Sequence, residues 1–206
     1  MQIRDDDVLL IIDVQNDFCR GGTLAVADGD AVVPIVNRLV ERFDHVVMTQ
    51  DWHPPGHSSF ATSHPGSAPF ESVAMPYGQQ TLWPDHCVQG TSGAAFHPQL
   101  VTDRAELVIR KGFRSAIDSY SAFYENDRKT PTGLAGYLRE RGLRRIFLAG
   151  LATDYCVYYS AVDARRLGFD TVLVEAGCRA IDLAGSLDAA WTAMAGAGVQ
   201  RVGDLG

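Results

Sequence analysis

Short apolar runs alternate with segments of helical periodicity along the whole of this 206-residue chain. Each run is too short for a helix and ends at charged residues or turn formers, which is typical of buried strands. The predicted strands are residues 8–13, 46–49, 106–111, 146–149, 171–175 and 199–202. Such alternation favours βαβ units, whose parallel strands are covered by helices on both faces. We therefore predict an α/β fold, with a doubly wound, mostly parallel six-stranded sheet.

Four helices are predicted between these strands from apolar stripes and end signals. The first follows Asp30 as its cap, the second opens at Thr130 and Pro131, the third follows Thr153 and the last follows Ser186. No repeat or linker divides the chain, so we predict a single domain over residues 1–206. An irregular span at about residues 51–98, rich in Pro, Gly, Ser and His, is predicted as a loop insertion with short helical turns.

The charge pattern argues against two classes of partner. The formal net charge is −7, and basic residues form nothing longer than pairs such as Arg144 and Arg145. Nucleic acids and anionic membranes bind basic patches, so neither is expected as a partner. The start of the chain lacks the features of a secretion signal, and no apolar run is long enough to span a bilayer. The four cysteines lack zinc-like pairing, so we expect reduced thiols and a cytoplasmic location.

Polar residues stand at or near the ends of four predicted strands: Asp13, Asp51, Lys111 and Cys156. The carboxyl ends of parallel strands meet at one edge of the sheet, where α/β proteins bind ligands. Taken singly, each residue has an ordinary structural interpretation, such as a loop cap or a surface charge. Taken together, they supply an acid, a base and a nucleophile. We therefore predict that they form one catalytic site.

Cys156 is the predicted nucleophile of this site. It falls in the first turn of a predicted helix, where the helix dipole and unpaired N–H groups favour a thiolate and could hold an oxyanion. The alternative is a small buried hydrophobe, as most free cysteines are. Asp13 is predicted to take the thiol proton and later to protonate a leaving amine. Lys111 is predicted to keep Asp13 ionised.

A second group of side chains suits a metal. Asp51 and His53 lie two apart in an extended segment and therefore point the same way, and His86 is the third candidate ligand. One carboxylate and two imidazoles fit zinc, manganese or iron, and the ligand set alone does not choose among them. His57 is predicted to lie behind the ligands or to face the substrate. The metal would therefore be held by the irregular insertion.

The remaining aromatic, histidine and cysteine residues have simpler interpretations. Phe18 and Trp83 flank the predicted site in sequence and could stack on a planar ligand, although most aromatic residues belong to the core. Solvated or structural roles are predicted for His45, His64 and His97, and packing roles for Cys19, Cys87 and Cys178.

Six segments of the chain together resemble one group of enzymes. They are DVQNDF (13–18), TQDWHPPGHSSF (49–60), WPDHCVQG (83–90), KG (111–112), YSAF (120–123) and GLATDYCV (150–157). In this order they are similar to the nicotinamidases, which belong to the isochorismatase-like cysteine hydrolases. The resemblance runs from the first strand to the last helix. One departure is Leu151, where valine is more frequent, and it leaves the chemistry unaffected.

The resemblance implies a role for each candidate residue. It implies a triad of Asp13, Lys111 and Cys156, and an oxyanion hole formed by the backbone N–H groups of Ala152 and Cys156. It also implies a cis peptide bond between Leu151 and Ala152. The implied metal ligands are Asp51, His53 and His86, with zinc as the first choice and iron or manganese as alternatives. The implied substrate-binding residues are Phe18, Trp83, Tyr120 and His57.

The implied activity is hydrolysis of nicotinamide to nicotinate and ammonia through a thioester, as part of NAD salvage, with pyrazinamide as a second substrate. The expected partner is this small molecule, and a homo-oligomer is compatible with the sequence. The alternatives are a related amidase of N-carbamoyl or ureidoacrylate type, or an isochorismatase. A non-catalytic binding module and a redox-sensing thiol protein are more distant alternatives. The first would have lost a triad residue, and the second would need a resolving cysteine.

Overall fold

A computed structural model describes residues 1–205 and contains a six-stranded sheet with four helices packed against it. In chain order the elements are β1 (Asp7–Ile12), α1 (Val32–Val40), β2 (His45–Asp51), β3 (Ser72–Met75), β4 (Gly78–Thr81), β5 (Leu107–Lys111), α2 (Leu134–Glu140), β6 (Arg145–Leu151), α3 (Tyr158–Arg166), β7 (Asp170–Arg179), α4 (Ser186–Gly196) and β8 (Gln200–Val202). The strand order of the large sheet is β5-β2-β1-β6-β7-β8, and every neighbouring pair is parallel. The predicted fold class is confirmed.

The two faces of the sheet are covered by two separate apolar cores. Alternate residues of β1 divide between them, since Leu9 and Ile11 belong to one core while Leu10 and Ile12 belong to the other. The first core contains the apolar side of α1, and the second contains buried residues of α2, α3 and α4. All of β1 is buried, which explains its nearly continuous apolar sequence.

Three of the predicted helix caps are wrong, and the second helix begins at Leu134 and not at Thr130 and Pro131. Asp30 lies in a 3-10 turn before α1, and its carboxylate accepts a hydrogen bond from the backbone N–H of Arg20 instead. Thr153 makes no capping bond and begins a π-helical turn, Thr153–Val157, that precedes α3. Ser186 is the first residue of α4 after a left-handed Gly185, and its hydroxyl donates to Asp154. For Asp30 and Ser186, a tertiary partner replaces the local cap.

The insertion between β2 and β5 contains more regular structure than predicted. β3 and β4 form an antiparallel hairpin in which Val73 pairs with Gln80. Isolated bridges join His53 to Val88 and Phe60 to Trp83, so the insertion folds back over the end of β2. The hairpin sequences lack an apolar alternation, which is the signal that would have predicted them. Within residues 1–205, no helix combines the length and the apolar character needed to cross a membrane.

Candidate active site

The carboxyl ends of four adjacent strands bring the predicted residues together. Asp13 follows β1, Asp51 ends β2, Lys111 ends β5 and Cys156 lies in the turn after β6. All four side chains are buried. Burial of two carboxylates and a cation at one point requires close pairing, since an isolated buried charge is strongly destabilising.

The ammonium of Lys111 supplies that pairing. Its Nζ lies 2.8 Å from Oδ2 of Asp13 and 3.0 Å from Oδ1 of Asp51. It also lies 3.5 Å from Sγ of Cys156 and donates to the carbonyl of Ser119 at 2.9 Å. One cation therefore contacts the candidate base, the candidate nucleophile and a candidate metal ligand.

Asp13 is held in a conformation that few residues adopt. Its φ angle is 47°, in the left-handed region, which Asp tolerates better than most side chains. Thr49 fixes it from the neighbouring strand: the hydroxyl donates to Oδ1 of Asp13 at 2.6 Å and lies 3.1 Å from the Asp13 backbone N–H. The second carboxylate oxygen faces Lys111. These contacts leave Asp13 oriented toward the centre of the site.

Burial controls the protonation of the triad. It raises the pKa of Asp13 above its ordinary value, although Lys111 opposes the shift. Burial would lower the pKa of Lys111, but Asp13 and Asp51 raise it well above its ordinary value. Burial also raises the pKa of the Cys156 thiol well above its usual range, against the pull of Lys111. At neutral pH Cys156 is therefore a thiol, because burial outweighs the features of the helix start that favour a thiolate.

The three candidate metal ligands converge on one point. Nε2 of His53 and Nε2 of His86 lie 3.0 and 3.3 Å from the same oxygen of Asp51, Oδ2. The Nδ1 atom of His53 lies 2.9 Å from the carbonyl of Gly112, and that of His86 lies 2.8 Å from the carbonyl of Pro84. Each Nδ1–H can donate to its carbonyl, which leaves Nε2 of both rings available to a metal. The donor set and its supporting carbonyls thus fit a divalent cation.

Electrostatics at this point favour a positive charge. Burial would lower the pKa of His53, but Asp51 raises it to about 9. Burial would raise the pKa of Asp51, but His53 and Lys111 hold it well below its ordinary value. A proton on His53 and a divalent cation would compete for the same Nε2 atom, because metal ligation requires the neutral imidazole.

Gly112 is required beside the candidate metal ligands. Its φ angle is +67°, and a Cβ atom there would lie 2.5 Å from Cε1 of His53 and 3.0 Å from Oδ1 of Asp51. Any side chain would push the His53 ring out of place. This explains the KG pair at the end of β5.

A cavity opens onto Cys156 and onto two of the candidate metal ligands, Asp51 and His86. Its lining residues are Phe18, Leu24, Asp51, Trp83, His86, Asp118, Tyr120, Ala152, Tyr155, Cys156 and Ile181. Three of the four predicted substrate-binding residues, Phe18, Trp83 and Tyr120, are therefore in its wall. Trp83 and Tyr155 meet edge to face, with ring centroids 4.8 Å apart. The cavity has an aromatic wall and a chemically reactive end, as a site for a small planar substrate requires.

His57 lies outside this cavity. It is fully buried, and its Nδ1 atom lies 2.8 Å from Oγ of Ser59 while Nε2 lies 2.9 Å from the carbonyl of Arg114. Its ring centroid is 4.4 Å from that of His53. Both ring nitrogens are engaged by protein atoms, so His57 packs against the ring of His53 and does not face the substrate space.

The turn after β6 carries the expected oxyanion-binding residues. The Leu151–Ala152 peptide bond is cis, as the resemblance predicted. The carbonyl of Ala152 accepts hydrogen bonds from the N–H groups of Tyr155 and Val157, which closes the turn. Gly150 has a φ of +130°, and a Cβ atom there would lie 2.1 Å from the carbonyl oxygen of Ile12, so only glycine fits. Ala152 and Cys156 both line the cavity.

Four residues of the cavity lining were not identified as site candidates from the sequence: Leu24, Asp118, Tyr155 and Ile181. Tyr155 lies inside the GLATDYCV segment and could have been found from it. Asp118 lies in an irregular stretch after β5 with no pattern to mark it. It is buried, and its Oδ1 atom lies 3.8 Å from Nε2 of His53.

The predicted structural histidines lie away from the cavity lining. His45 pairs with Glu106, His64 lies 2.7 Å from the carbonyl of Ser58, and His97 pairs with Asp30. The remaining cysteines, Cys19, Cys87 and Cys178, are free and buried.

Comparison with known proteins agrees with this geometry. A family model of the isochorismatase domain matches residues 7–204. The chain is 51% identical to a nicotinamidase from Acinetobacter baylyi over 98% of this chain and 94% of that protein. It is 43% identical to a nicotinamidase from Escherichia coli over 85% of this chain and 84% of that protein.

Comparison with solved structures also finds nicotinamidases and pyrazinamidases similar to this chain. A nicotinamidase and pyrazinamidase from Acinetobacter baumanii superimposes with a TM-score of 0.96 at 52% identity, covering 98% of this chain and 97% of that one. A Leishmania infantum protein, PnC1, in complex with nicotinate gives 0.86 at 41% identity, with coverage of 98% and 95%. A Pyrococcus horikoshii pyrazinamidase in complex with zinc gives 0.77 at 32% identity, with coverage of 96% and 98%. The chain belongs to the isochorismatase domain family and, within it, to the nicotinamidases.

Proposed function

We propose that the protein is a nicotinamidase that hydrolyses nicotinamide to nicotinate and ammonia with Cys156 as nucleophile, and that it also accepts pyrazinamide. The observation that carries this proposal is the position of Lys111, whose Nζ contacts Asp13, Asp51 and Cys156 at the reactive end of an aromatic cavity. Amide hydrolysis needs a base, a nucleophile and a place for the oxyanion, and this cavity offers residues for all three.

The first step forms a bond between Sγ of Cys156 and the carboxamide carbon. Because the thiol pKa is raised, its proton moves to Asp13 as the sulfur attacks. Lys111 lies beside both groups and stabilises the negative charge that passes between them. The N–H groups of Ala152 and Cys156 receive the developing oxyanion.

The second step breaks the carbon–nitrogen bond. Asp13 returns its proton to the leaving nitrogen, which departs as ammonia and leaves a thioester on Cys156. Burial favours this role because it raises the pKa of Asp13 and makes the protonated carboxyl accessible. Water then attacks the thioester carbon while Asp13 takes its proton. The thiolate of Cys156 leaves, recovers the proton, and nicotinate is released.

Asp51, His53 and His86 would hold a divalent metal ion beside the triad residues, since Lys111 contacts Asp51 directly. When bound, such an ion supplies a Lewis-acidic centre that can accept the lone pair of a ring nitrogen and so orient the substrate. Zinc is our first choice, with iron or manganese as alternatives, and the zinc complex of the Pyrococcus horikoshii pyrazinamidase supports this order. Phe18, Trp83 and Tyr120 would hold the ring faces and edge.

The substrate class separates this proposal from its alternatives. An N-carbamoyl amidase, a ureidoacrylate hydrolase or an isochorismatase would share the triad or part of it, but a ring-orienting metal is of no use to a substrate without a ring nitrogen. The nicotinamidase relatives and the Leishmania infantum complex with nicotinate support the pyridine carboxamide. The reaction would belong to NAD salvage, and the four free cysteines support a reducing compartment such as the cytoplasm.

A substrate panel tests the proposal. Ammonia release is measured with the metal-loaded protein on nicotinamide, pyrazinamide, an N-carbamoyl amide and ureidoacrylate, and pyruvate release on isochorismate. We expect turnover of the two ring carboxamides and its loss after chelation, with recovery when the metal is restored. Turnover of another panel member without nicotinamide hydrolysis would contradict the proposal.

A further inference from the structure

The side chain of Gln80 is buried, although glutamine side chains in proteins are mostly exposed. It lies on β4, a strand of the small hairpin, and only 1% of its surface is accessible, whereas its neighbour Gln79 is exposed. Buried polar side chains are retained where their hydrogen bonds are satisfied. Gln80 is absent from the cavity lining, so it makes no direct contact with the substrate space.

The Gln80 amide nitrogen contacts two residues that do line the cavity. Nε2 lies 2.9 Å from Oδ2 of Asp118 and 2.8 Å from the phenol oxygen of Tyr120, and its two N–H groups are shared with a third acceptor, the carbonyl of Thr81, at 2.7 Å. The Tyr120 oxygen also accepts a hydrogen bond from the indole Nε1 of Trp83 at 3.0 Å. A single amide therefore fixes Asp118 and Tyr120 directly, and Trp83 through Tyr120.

The amide oxygen is used as well. Oε1 accepts hydrogen bonds from the hydroxyl of Tyr77 at 3.2 Å and from Nδ2 of Asn126 at 3.1 Å. Asn126 in turn accepts the backbone N–H of Tyr120 at 3.0 Å. A carboxylate in place of the amide would lack donors and would face Asp118. An aliphatic side chain would satisfy neither side of the network.

We propose that Gln80 is a positioning residue. By holding Asp118 and Tyr120, and with them Trp83, it sets the width of the cavity in which the substrate binds. The identity of the substrate in this inference rests on the proposed function. The positioning of Asp118, Tyr120 and Trp83 by Gln80 does not. The hairpin that carries Gln80 thereby acts as a support for the aromatic wall of the cavity. Because Asp13, Lys111 and Cys156 make no hydrogen bond with Gln80, substrate binding depends on it more than the chemical step does.

The test compares Gln80→Glu with Gln79→Glu, the same change on the exposed neighbour. For Gln80→Glu we expect KM for nicotinamide to rise about tenfold, the effect of losing one buried hydrogen bond, with kcat changed by less than about threefold. The indole N–H resonance of Trp83 in the NMR spectrum of the ligand-free protein should shift in the same variant. Gln79→Glu should leave all three quantities unchanged.

A charge exchange tests the pairing itself. Adding Asp118→Asn to Gln80→Glu restores one donor and one acceptor, so KM should fall back toward that of the Asp118→Asn single variant. Gln80→Leu, which removes the hydrogen bonds without adding a charge, serves if Gln80→Glu does not fold. Unchanged KM and an unshifted Trp83 resonance, or equal losses in kcat with no rescue, would overturn the proposal. If the wild type releases no ammonia from nicotinamide, the proposed function fails while the Trp83 resonance still decides this inference.

Discussion

Nζ of Lys111 lies 3.0 Å from Oδ1 of Asp51, so the candidate triad and the candidate metal ligands share one ion pair. The other oxygen of Asp51 faces Nε2 of His53 and of His86. Charge on one side of this carboxylate therefore affects the other. Catalysis and metal binding should be linked through Lys111, although it is not a metal ligand.

Replacement of Lys111 by methionine should harm both functions. Two buried carboxylates lose their shared cation, which should lower the free energy of unfolding by about 3–5 kcal/mol. We expect kcat/KM for nicotinamide to fall about 10²–10³-fold. Denaturant unfolding and steady-state kinetics measure the two effects, and Lys129→Met, at an exposed position, is the matched control. A variant with normal stability and turnover would show that the ion pair is dispensable.

The pH dependence of kcat/KM should report Asp13. Burial raises the pKa of this carboxyl above 3.8, and it must be ionised to accept the thiol proton. Activity should therefore be present above that pKa and fall as the pH drops, with a midpoint above 3.8. The thiol of Cys156 should cause no change below about pH 9, because its pKa is raised well above that value. Metal content measured at each pH separates titration from metal loss, and a midpoint at or below 3.8 would argue against Asp13.

Removal of one imidazole should remove the metal. His53→Ala is expected to lower the bound zinc, iron and manganese, measured by elemental analysis after dialysis, more than about tenfold. The substrate KM should rise in parallel. His45→Ala is the control, because His45 pairs with Glu106 and belongs to none of the candidate metal-binding groups. Equal metal content in the two variants would exclude His53 as a ligand.

A glycine pair tests the geometry around the metal ligands. Gly112→Ala and Gly142→Ala both place a side chain at a positive φ, +67° and +74°, so both should cost about 1–2 kcal/mol of stability. Only at Gly112 would the new Cβ collide with His53, since Gly142 has open space. Metal affinity should fall in the first variant and stay normal in the second. Equal affinity in both would show that His53 has room to move.

Much of this arrangement was predictable because strand ends in parallel sheets carry their polar residues to one edge. The strands that lead to Asp13, Asp51 and Lys111 were predicted from the length of each apolar run and from the first charged residue after it. The motif segments pointed to Phe18 and Trp83, which line the cavity.

The rest depends on contacts between distant segments. The hairpin with Gln80 was missed because its sequence is polar, and its burial arises from Asp118 and Tyr120, which lie far along the chain. The protonation of Cys156 depends on burial, which spacing alone does not give. Asp30 and Ser186 failed as caps because Arg20 and Asp154 provide better partners.

The central claim is that Cys156 forms the covalent bond to the substrate. The most direct measurement is kcat for ammonia release from nicotinamide by metal-loaded Cys156→Ala, compared with the wild type under the same conditions. Unchanged metal content and circular dichroism establish that the variant is folded and loaded. We predict a loss of about 10⁴-fold or more. A kcat within about tenfold of the wild-type value would contradict the account.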